Sequence, residues 1–392
     1  MLDNDYIEKI LGLKDITVTK VEDIGYDKHI HLTLNVKANC CPSCGNETTY
    51  IHDYREQVVK DIDIIGMHTY IHLRKRRYRC LNCNKRFQEK NIFLPKYKRT
   101  TNRLWFHTIN LLRDVKSMKQ VAKEVNLSPA SIVRIFDKVN YVSPKLPRVL
   151  GIDEFRGNSG GEKFNCILTD PVKKEIIDIL PKRRADALYD YFSKFNHKAH
   201  VEVVTMDMSS LFKSVVLNTF PNATIVADKY HVVRQVSWAF ENVRKRVQSE
   251  LLKENRIYMK GSRRLLLKRQ RNLSDDEMLE VANLLRYSKE LGAAYYLKER
   301  FYEFMESCDV ITAEKKLDEW FMHARVANLP EFEAAITTFS NWRKEILNAF
   351  RFNISNGYTE GCNNLIKVIK RTGYGLRNFD RFRNRILHIA SQ

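Results

Sequence analysis

The stretch Val149-Leu150-Gly151-Ile152-Asp153-Glu154-Phe155 constrains the fold most, because it sets a carboxylate inside an otherwise apolar run. Such a run reads as the middle of a buried strand, and a carboxylate there is expensive unless something positive neutralises it. Asp207 ends a second apolar run, Val203-Val204-Thr205-Met206. Glu360, in Thr359-Glu360-Gly361-Cys362-Asn363-Asn364, falls in the first turn of a helix continuing into Leu365-Ile366-Lys367-Val368-Ile369. Carboxylate oxygens on rigid elements suit a hard cation such as Mg2+. A first Asp in a central strand, a second at the end of its neighbour and a Glu from a helix on the sheet face make one such set.

The surrounding texture fits. Strands are expected at 149–155, 164–168, 175–180, 201–206 and 223–227, with helices at 185–195 and 211–219. Three strands in series, then helix, strand, helix, strand give a mixed sheet with helices on its faces. From His231 to about Trp342 no strand pattern occurs, and amphipathic stretches at 276–289 and 293–308 predict an all-helical insertion.

The segment before this core divides in two. Residues 16–19 and 29–36 alternate apolar and polar positions, as half-buried strands do. Embedded there are Cys41-Pro42-Ser43-Cys44 and Cys80-Leu81-Asn82-Cys83, two Cys-x-x-Cys knuckles separated by 35 residues. Four thiolates in two pairs predict a tetrahedral Zn2+ site at Cys41, Cys44, Cys80 and Cys83, with a hairpin between them at 58–73 and Cys40 a bystander. Next come a helix at 102–114, a capping box at Ser117 opening a helix through Val125, and Ser128-Pro129 starting another over 130–139. Helix, short turn, helix with Ser131 and Arg134 exposed is the helix-turn-helix pattern, which lays its second helix in a DNA groove. Ser143-Pro144-Lys145-Leu146-Pro147 reads as a linker.

Composition points to the same partner. The 67 Lys and Arg against 47 acidic residues give a formal charge of +20. The surplus clusters: 14 basic residues against two acidic over 71–116, 11 against three over 241–271, and seven against one over 365–385. Basic clusters of this kind neutralise nucleic-acid phosphates. Lys367, Lys370, Arg371, Tyr374, Arg377, Arg381 and Arg383 are candidates for contacts to a nucleic-acid backbone. No apolar run is long enough to span a bilayer and the first five residues are acidic rather than basic, so a soluble, cytoplasmic protein is expected. Eight cysteines in that compartment point to metal or free thiols.

Other carboxylates are less compelling. Glu154 points to the sheet face opposite Asp153 and reads as structural, while Asp170 and Asp178 read as solvated. Asp228 and His231, in Ala227-Asp228-Lys229-Tyr230-His231, emerge at the same sheet edge as Asp207 and are candidates for the site.

Taken together, Gly151-Ile152-Asp153-Glu154-Phe155, Asp207, the Asp228-x-x-His231 signature, and Thr359-Glu360-Gly361-Cys362-Asn363-Asn364 resemble the DDE transposases of bacterial insertion sequences. With the double knuckle the chain is most similar to their insertion-sequence L-three family, across nearly its whole length. The resemblance implies a ribonuclease H-like core whose Asp153, Asp207 and Glu360 bind metal, and a helical insertion between the last two, which stand 153 positions apart.

The expected fold is thus multidomain α+β: a zinc-binding domain (1–95), a helix-turn-helix domain (96–143), a core (148–236), a helical insertion (237–345), and a second part of the core with a basic tail (346–392). The expected function is to bind terminal inverted repeats in double-stranded DNA, then cleave and join ends to target DNA with two Mg2+ ions, Mn2+ substituting, as a homodimer or larger synaptic assembly. Two alternatives remain at this level: a DNA-binding transcriptional regulator descended from a transposase, and a structure-specific nuclease on the same fold.

Overall fold

The computed structural model describes residues 4–142, 145–352, 354–374 and 376–391. The chain's first three residues, linker positions Ser143 and Pro144, Asn353, Gly375 and Gln392 lie outside them. The chain packs into two compact units. One comprises Met1–Tyr141, Val368–Leu376 and Asn384–Gln392; the other comprises Val142–Lys367 and Arg377–Arg383.

The first unit opens with α1 (Asn4–Leu11), a hairpin of β1 (Ile16–Ile24) and β2 (Asp27–Leu34), and a short pair, β3 (Asn39–Cys40) and β4 (Glu47–Thr48). A long hairpin of β5 (Ile51–Ile64) and β6 (Met67–Arg79) follows, then β7 (Arg86–Gln88). The sheet runs β1-β2-β6-β5, with β7 also on β6, and only β2 and β6 pair in parallel. In β2 the alternation is regular: Ile30, Leu32 and Leu34 are buried, while His29, His31 and Thr33 face outward half-buried. The strand-like reading of this segment missed α1, a helix of eight residues whose Ile7 and Leu11 join the sheet's core. Glu8 fixes it by accepting a 2.7 Å hydrogen bond from the Val18 backbone N–H.

Three helices complete this unit's first part: α2 (Asn102–Leu111), α3 (Met118–Glu124) and α4 (Pro129–Phe136). Ser117 and Gln120 form the expected capping box on α3, and Ser128 caps α4 with Pro129 in its first turn. Asn126 takes the positive φ of +50° that the turn between α3 and α4 requires. Leu104, Leu112, Val121, Ala122, Val125, Ile132 and Phe136 form the shared core.

The second unit is a sheet with helices on both faces. Its strands are β8 (Val149–Phe155), β9 (Asn165–Asp170), β10 (Glu175–Leu180), β11 (Val203–Met206) and β12 (Thr224–Ala227), with α5 (Ala185–Ser193) and α6 (Ser210–Thr219) between them. Strand order is β10-β9-β8-β11-β12; β9 is antiparallel to both β10 and β8, and β8, β11 and β12 are parallel. Leu150, Ile152, Val204, Met206, Ile225 and Ala227 face one core with Leu188, Phe192, Phe212 and Val216.

From Lys229 onward the described chain is helical: α7 (Lys229–Glu250), α8 (Lys253–Gly261), α9 (Arg263–Leu267), α10 (Asp275–Leu285), α11 (Lys289–Met305), α12 (Val310–Ala327) and α13 (Pro330–Asn341). Their aromatic core includes Phe240, Phe301, Phe304, Trp320, Phe332 and Phe339, all buried. α14 (Arg343–Phe352) then covers the second sheet face, where Ala349 packs on Val149, Val203 and Val226. α15 (Gly357–Thr372) and α16 (Phe379–Ala390) end the chain.

Candidate active site and zinc ribbon

Strand register brings three aspartates to one level. Ile152 pairs with Met206, and Met206 with Ala227, across β8, β11 and β12. The next residue on each strand is therefore Asp153, Asp207 and Asp228, and the Asp228 backbone N–H bonds the Met206 carbonyl at 2.9 Å. Because Ile152, Met206 and Ala227 point into the main core, alternation turns the aspartates to the opposite face, above Val149, Val203 and Val226.

That face is built to receive the start of α15. The Thr169 and Thr359 hydroxyls bond each other at 2.8 Å, and Thr205 donates to Asn356 Oδ1 at 3.2 Å. Gly151 makes the approach possible: a Cβ there would lie 2.3 Å from Thr169 Oγ1, 3.0 Å from Thr359 Oγ1 and 3.3 Å from Asn356 Oδ1. One turn on, Asn363 Nδ2 donates to Asp153 Oδ2 at 2.7 Å. Gly151, Thr169, Thr205, Asn356 and Asn363 were not singled out from sequence, since their roles depend on pairings of up to 210 positions.

Asp207, Asp228 and His231 each offer a ligand atom within 4.8 Å of the others. His231 Nε2 lies 3.0 Å from Asp207 Oδ1 and 3.9 Å from Asp228 Oδ2. Neither oxygen accepts a well-aligned hydrogen bond, although both are buried. Asp228 uses its other oxygen to cap α7 at the Tyr230 N–H. Asp153 and Glu360 stand outside this tight trio but feel its charge. Burial, then the Asp207 charge, pushes Asp153 up to about 7. Burial likewise pushes Asp228 up to about 6 and raises Glu360. Burial pulls His231 down, but its contact with Asp207 outweighs this and the net shift is upward. Orphaned buried oxygens and carboxylates resisting ionisation are what a site for a divalent cation looks like without its counter-charge. The residues therefore fit such an ion.

The decoys resolve differently from one another. Glu154 pairs with Arg183 away from the site. Asp170 and Asp178, expected to be solvated, are instead buried. Asp170 accepts from the Val172 and Lys173 N–H groups in its own turn. Asp178 accepts from Tyr191 at 2.9 Å and Arg383 at 2.5 Å. Arg383 is thus held by Asp178 rather than presented to a ligand.

In the first unit the four cysteine sulfurs also lie within 4.8 Å of one another. The knuckles repeat one geometry: the first Cys N–H bonds a carbonyl five residues on, and its own carbonyl accepts from the N–H four residues on, that of Gly45 or Asn84. Both of those residues adopt positive φ, at +75° and +60°. The Asn46 N–H draws Cys44 down to about 6. Cys83 rises to about 12 although the Lys85 N–H lowers it, because neighbouring sulfurs, Cys44 first, oppose a further negative charge. Zn2+ would relieve that repulsion.

Among the expected DNA contacts, Arg134, Lys367, Arg371 and Arg377 are exposed, and Ser131, Lys370 and Arg381 are half-buried. Arg134 donates to Ser131 at 3.1 Å.

Residues 150–386 match a family described as "Transposase", the ISL3-type DDE group. Residues 37–83 match the zinc-finger of transposase IS204/IS1001/IS1096/IS1165. The class is therefore that of the DDE transposases, enzymes that cleave DNA and transfer its strands. Within that class, the chain belongs to the ISL3 family. The transposase for insertion sequence element IS1001 of Bordetella parapertussis is 26% identical over 400 residues, 97% of each chain. The transposase for insertion sequence element IS1557 of Mycobacterium tuberculosis is 22% identical over 256 residues, 59% of this chain and 57% of that one. A Lactococcus lactis protein described as an ATP-dependent protease is 35% identical over 108 residues, but these are only 27% of this chain. No described helix is long and apolar enough to cross a membrane.

Proposed function

We propose that this transposase binds the terminal inverted repeats of its own insertion sequence and catalyses end cleavage and strand transfer at a ribonuclease H-like core. Asp153, Asp207 and Glu360 are its metal-binding carboxylates, with Asp228 and His231 beside them. The observation that carries this reading is the shared level of Asp153, Asp207 and Asp228 on three adjacent strands, with Glu360 in the first turn of the helix seated on that face.

Two bound Mg2+ ions, or Mn2+ in their place, would supply the positive charge that steadies the attacking and leaving oxygens of an in-line displacement. The chain's own residues prepare that site. Asn363 orients Asp153 through Oδ2. Asp207 and Asp228 present the buried oxygens beside His231, neither of which accepts a well-aligned hydrogen bond. His231, with Nε2 3.0 Å from Asp207 Oδ1, is the imidazole placed to pass a proton to a leaving oxygen.

The zinc-binding domain (1–95) and the helix-turn-helix domain (96–143) would read the terminal repeats, with Ser131 and Arg134 of α4 toward the groove. Lys367, Lys370, Arg371, Arg377 and Arg381 would hold the strand backbone. The core (148–236 and 346–392) carries the chemistry, and the helical insertion (237–345) adds a basic first third. Holding two ends together requires a dimer or larger assembly.

A strand-transfer assay tests this reading: purified protein, Mg2+, a labelled duplex carrying the element end, and a supercoiled target. The expected product is labelled end joined to target. Hydrolysis without joining would favour a nuclease, and binding without any cutting a regulator.

A further inference from the structure

We infer that the N-terminal sheet carries a second zinc site, formed by His31, His72 and Glu56 and separate from the four cysteines. The cysteine set is complete at four sulfurs and leaves a zinc ion no vacancy for a histidine.

The sheet register creates the site. β2 and β6 are parallel neighbours, and His31 stands directly opposite His72. Their rings stack with centroids 4.3 Å apart. On the far side of β6, Glu56 of β5 reaches across so that its Oε1 lies 2.7 Å from His72 Nδ1. One ring nitrogen from each histidine and one Glu56 oxygen lie within 4.8 Å of one another. Two neutral imidazoles and one carboxylate on a partly open face suit a borderline divalent ion, Zn2+ above all, with water completing the shell.

The surroundings argue for a site rather than a chance pair. A metal-bound histidine keeps its ring in place by engaging its other nitrogen with a fixed partner. Both histidines do this. His72 Nε2 lies 2.8 Å from His29 Nδ1, and His31 Nε2 lies 2.9 Å from Glu22 Oε1. His29 is itself fixed by stacking on Tyr70, with centroids 5.1 Å apart. Hydrogen bonding alone would account for each pair singly. It gives no reason for three imidazoles and two carboxylates to converge on one sheet face, where an ion would take the place of the proton between His72 Nδ1 and Glu56 Oε1 with a His31 nitrogen within reach. An ion there would tie β2 to the β5–β6 hairpin, from which the chain separates it by residues 35–50.

Metal content of the full-length protein decides the matter. Excess Mg2+ keeps the carboxylate centre occupied while bound zinc is counted by mass spectrometry. Co2+ then replaces zinc for optical spectra. Two zinc ions per chain are expected. One Co2+ should show intense thiolate charge-transfer absorption and the other none. His72→Ala should retain one ion with the thiolate signature intact. Glu22→Gln should weaken only the second ion, by about 10–100-fold, as loss of such an orienting partner does. One zinc per chain in the wild type, or two retained in His72→Ala, would overturn the inference. Should His72→Ala fail to fold, the wild-type Co2+ spectrum and Glu22→Gln decide it by themselves.

Discussion

Gly151→Ala is the smallest change that tests how the Glu360 helix is seated. The new methyl carbon would lie 2.3 Å from Thr169 Oγ1 and 3.0 Å from Thr359 Oγ1. Neither neighbour can yield easily, because both threonines are fully buried and bonded to each other at 2.8 Å. Overpacking of this kind costs about 1–3 kcal/mol. For a unit of this size each kcal/mol lowers Tm by about 2–4 °C, so a fall of about 2–12 °C is expected. Relief of the clash pushes the first turn of α15 outward and carries Glu360 with it. A misplacement approaching 1 Å at reacting groups lowers rate by about 100-fold, so end cleavage should fall by at least about tenfold. Thr169→Ala removes the nearest oxygen. Alone it strands the Thr359 hydroxyl, but combined with Gly151→Ala it should recover part of both losses. Thermal unfolding and single-turnover cleavage on the four members of this cycle give the coupling, expected to be favourable by at least about 1 kcal/mol. Wild-type Tm and cleavage in Gly151→Ala, or strictly additive effects, would refute the seating described for α15.

Other perturbations have equally definite outcomes. Acid should weaken Mg2+ binding, since Asp153 and Asp228, raised to about 7 and about 6, must lose protons to accept the ion; titration calorimetry should find affinity about 100-fold lower at pH 5.5 than at pH 8. Without metal the sign reverses for stability. Carboxyls whose folded pKa is raised stabilise the protein in acid and lose that contribution as pH rises through 6 to 7, so metal-free Tm should fall across that range. Asn363→Ala removes the donor to Asp153 Oδ2 and should slow cleavage by about 10–100-fold, matching the roughly 1.5–3 kcal/mol of a hydrogen bond to a charged group, with little change in DNA binding on a filter assay. Cys80→Ser should release the ribbon's zinc and expose the first unit to limited proteolysis, while the second unit, which has its own core, resists.

Parts of this architecture were legible in sequence because their signals are local. β8 and β10 fall at the expected residues, since each is a short, mainly apolar run of strand length. Both caps of the α3–α4 pair likewise depend on residues three apart. The helix expected over 130–139 stops at Phe136, where its apolar spacing has already met the shared core. What sequence could not display depends on distant partners. Asp178 looks solvated until Arg383, 205 positions away, arrives beside it. The aspartate row follows from register between strands that are separated by helices. The Gly151 cradle and the histidine face also need register, which alternation within one strand does not fix.

The central claim is that the carboxylates aligned by this register perform the chemistry. Single-turnover end cleavage in Mg2+ by Asp207→Asn, compared with wild type at matched DNA occupancy, tests it most directly. Asparagine keeps the shape and removes the charge that an ion requires. The account predicts unchanged end binding with cleavage reduced at least 100-fold, roughly 3 kcal/mol of lost transition-state stabilisation. Cleavage at the wild-type rate by Asp207→Asn would contradict it.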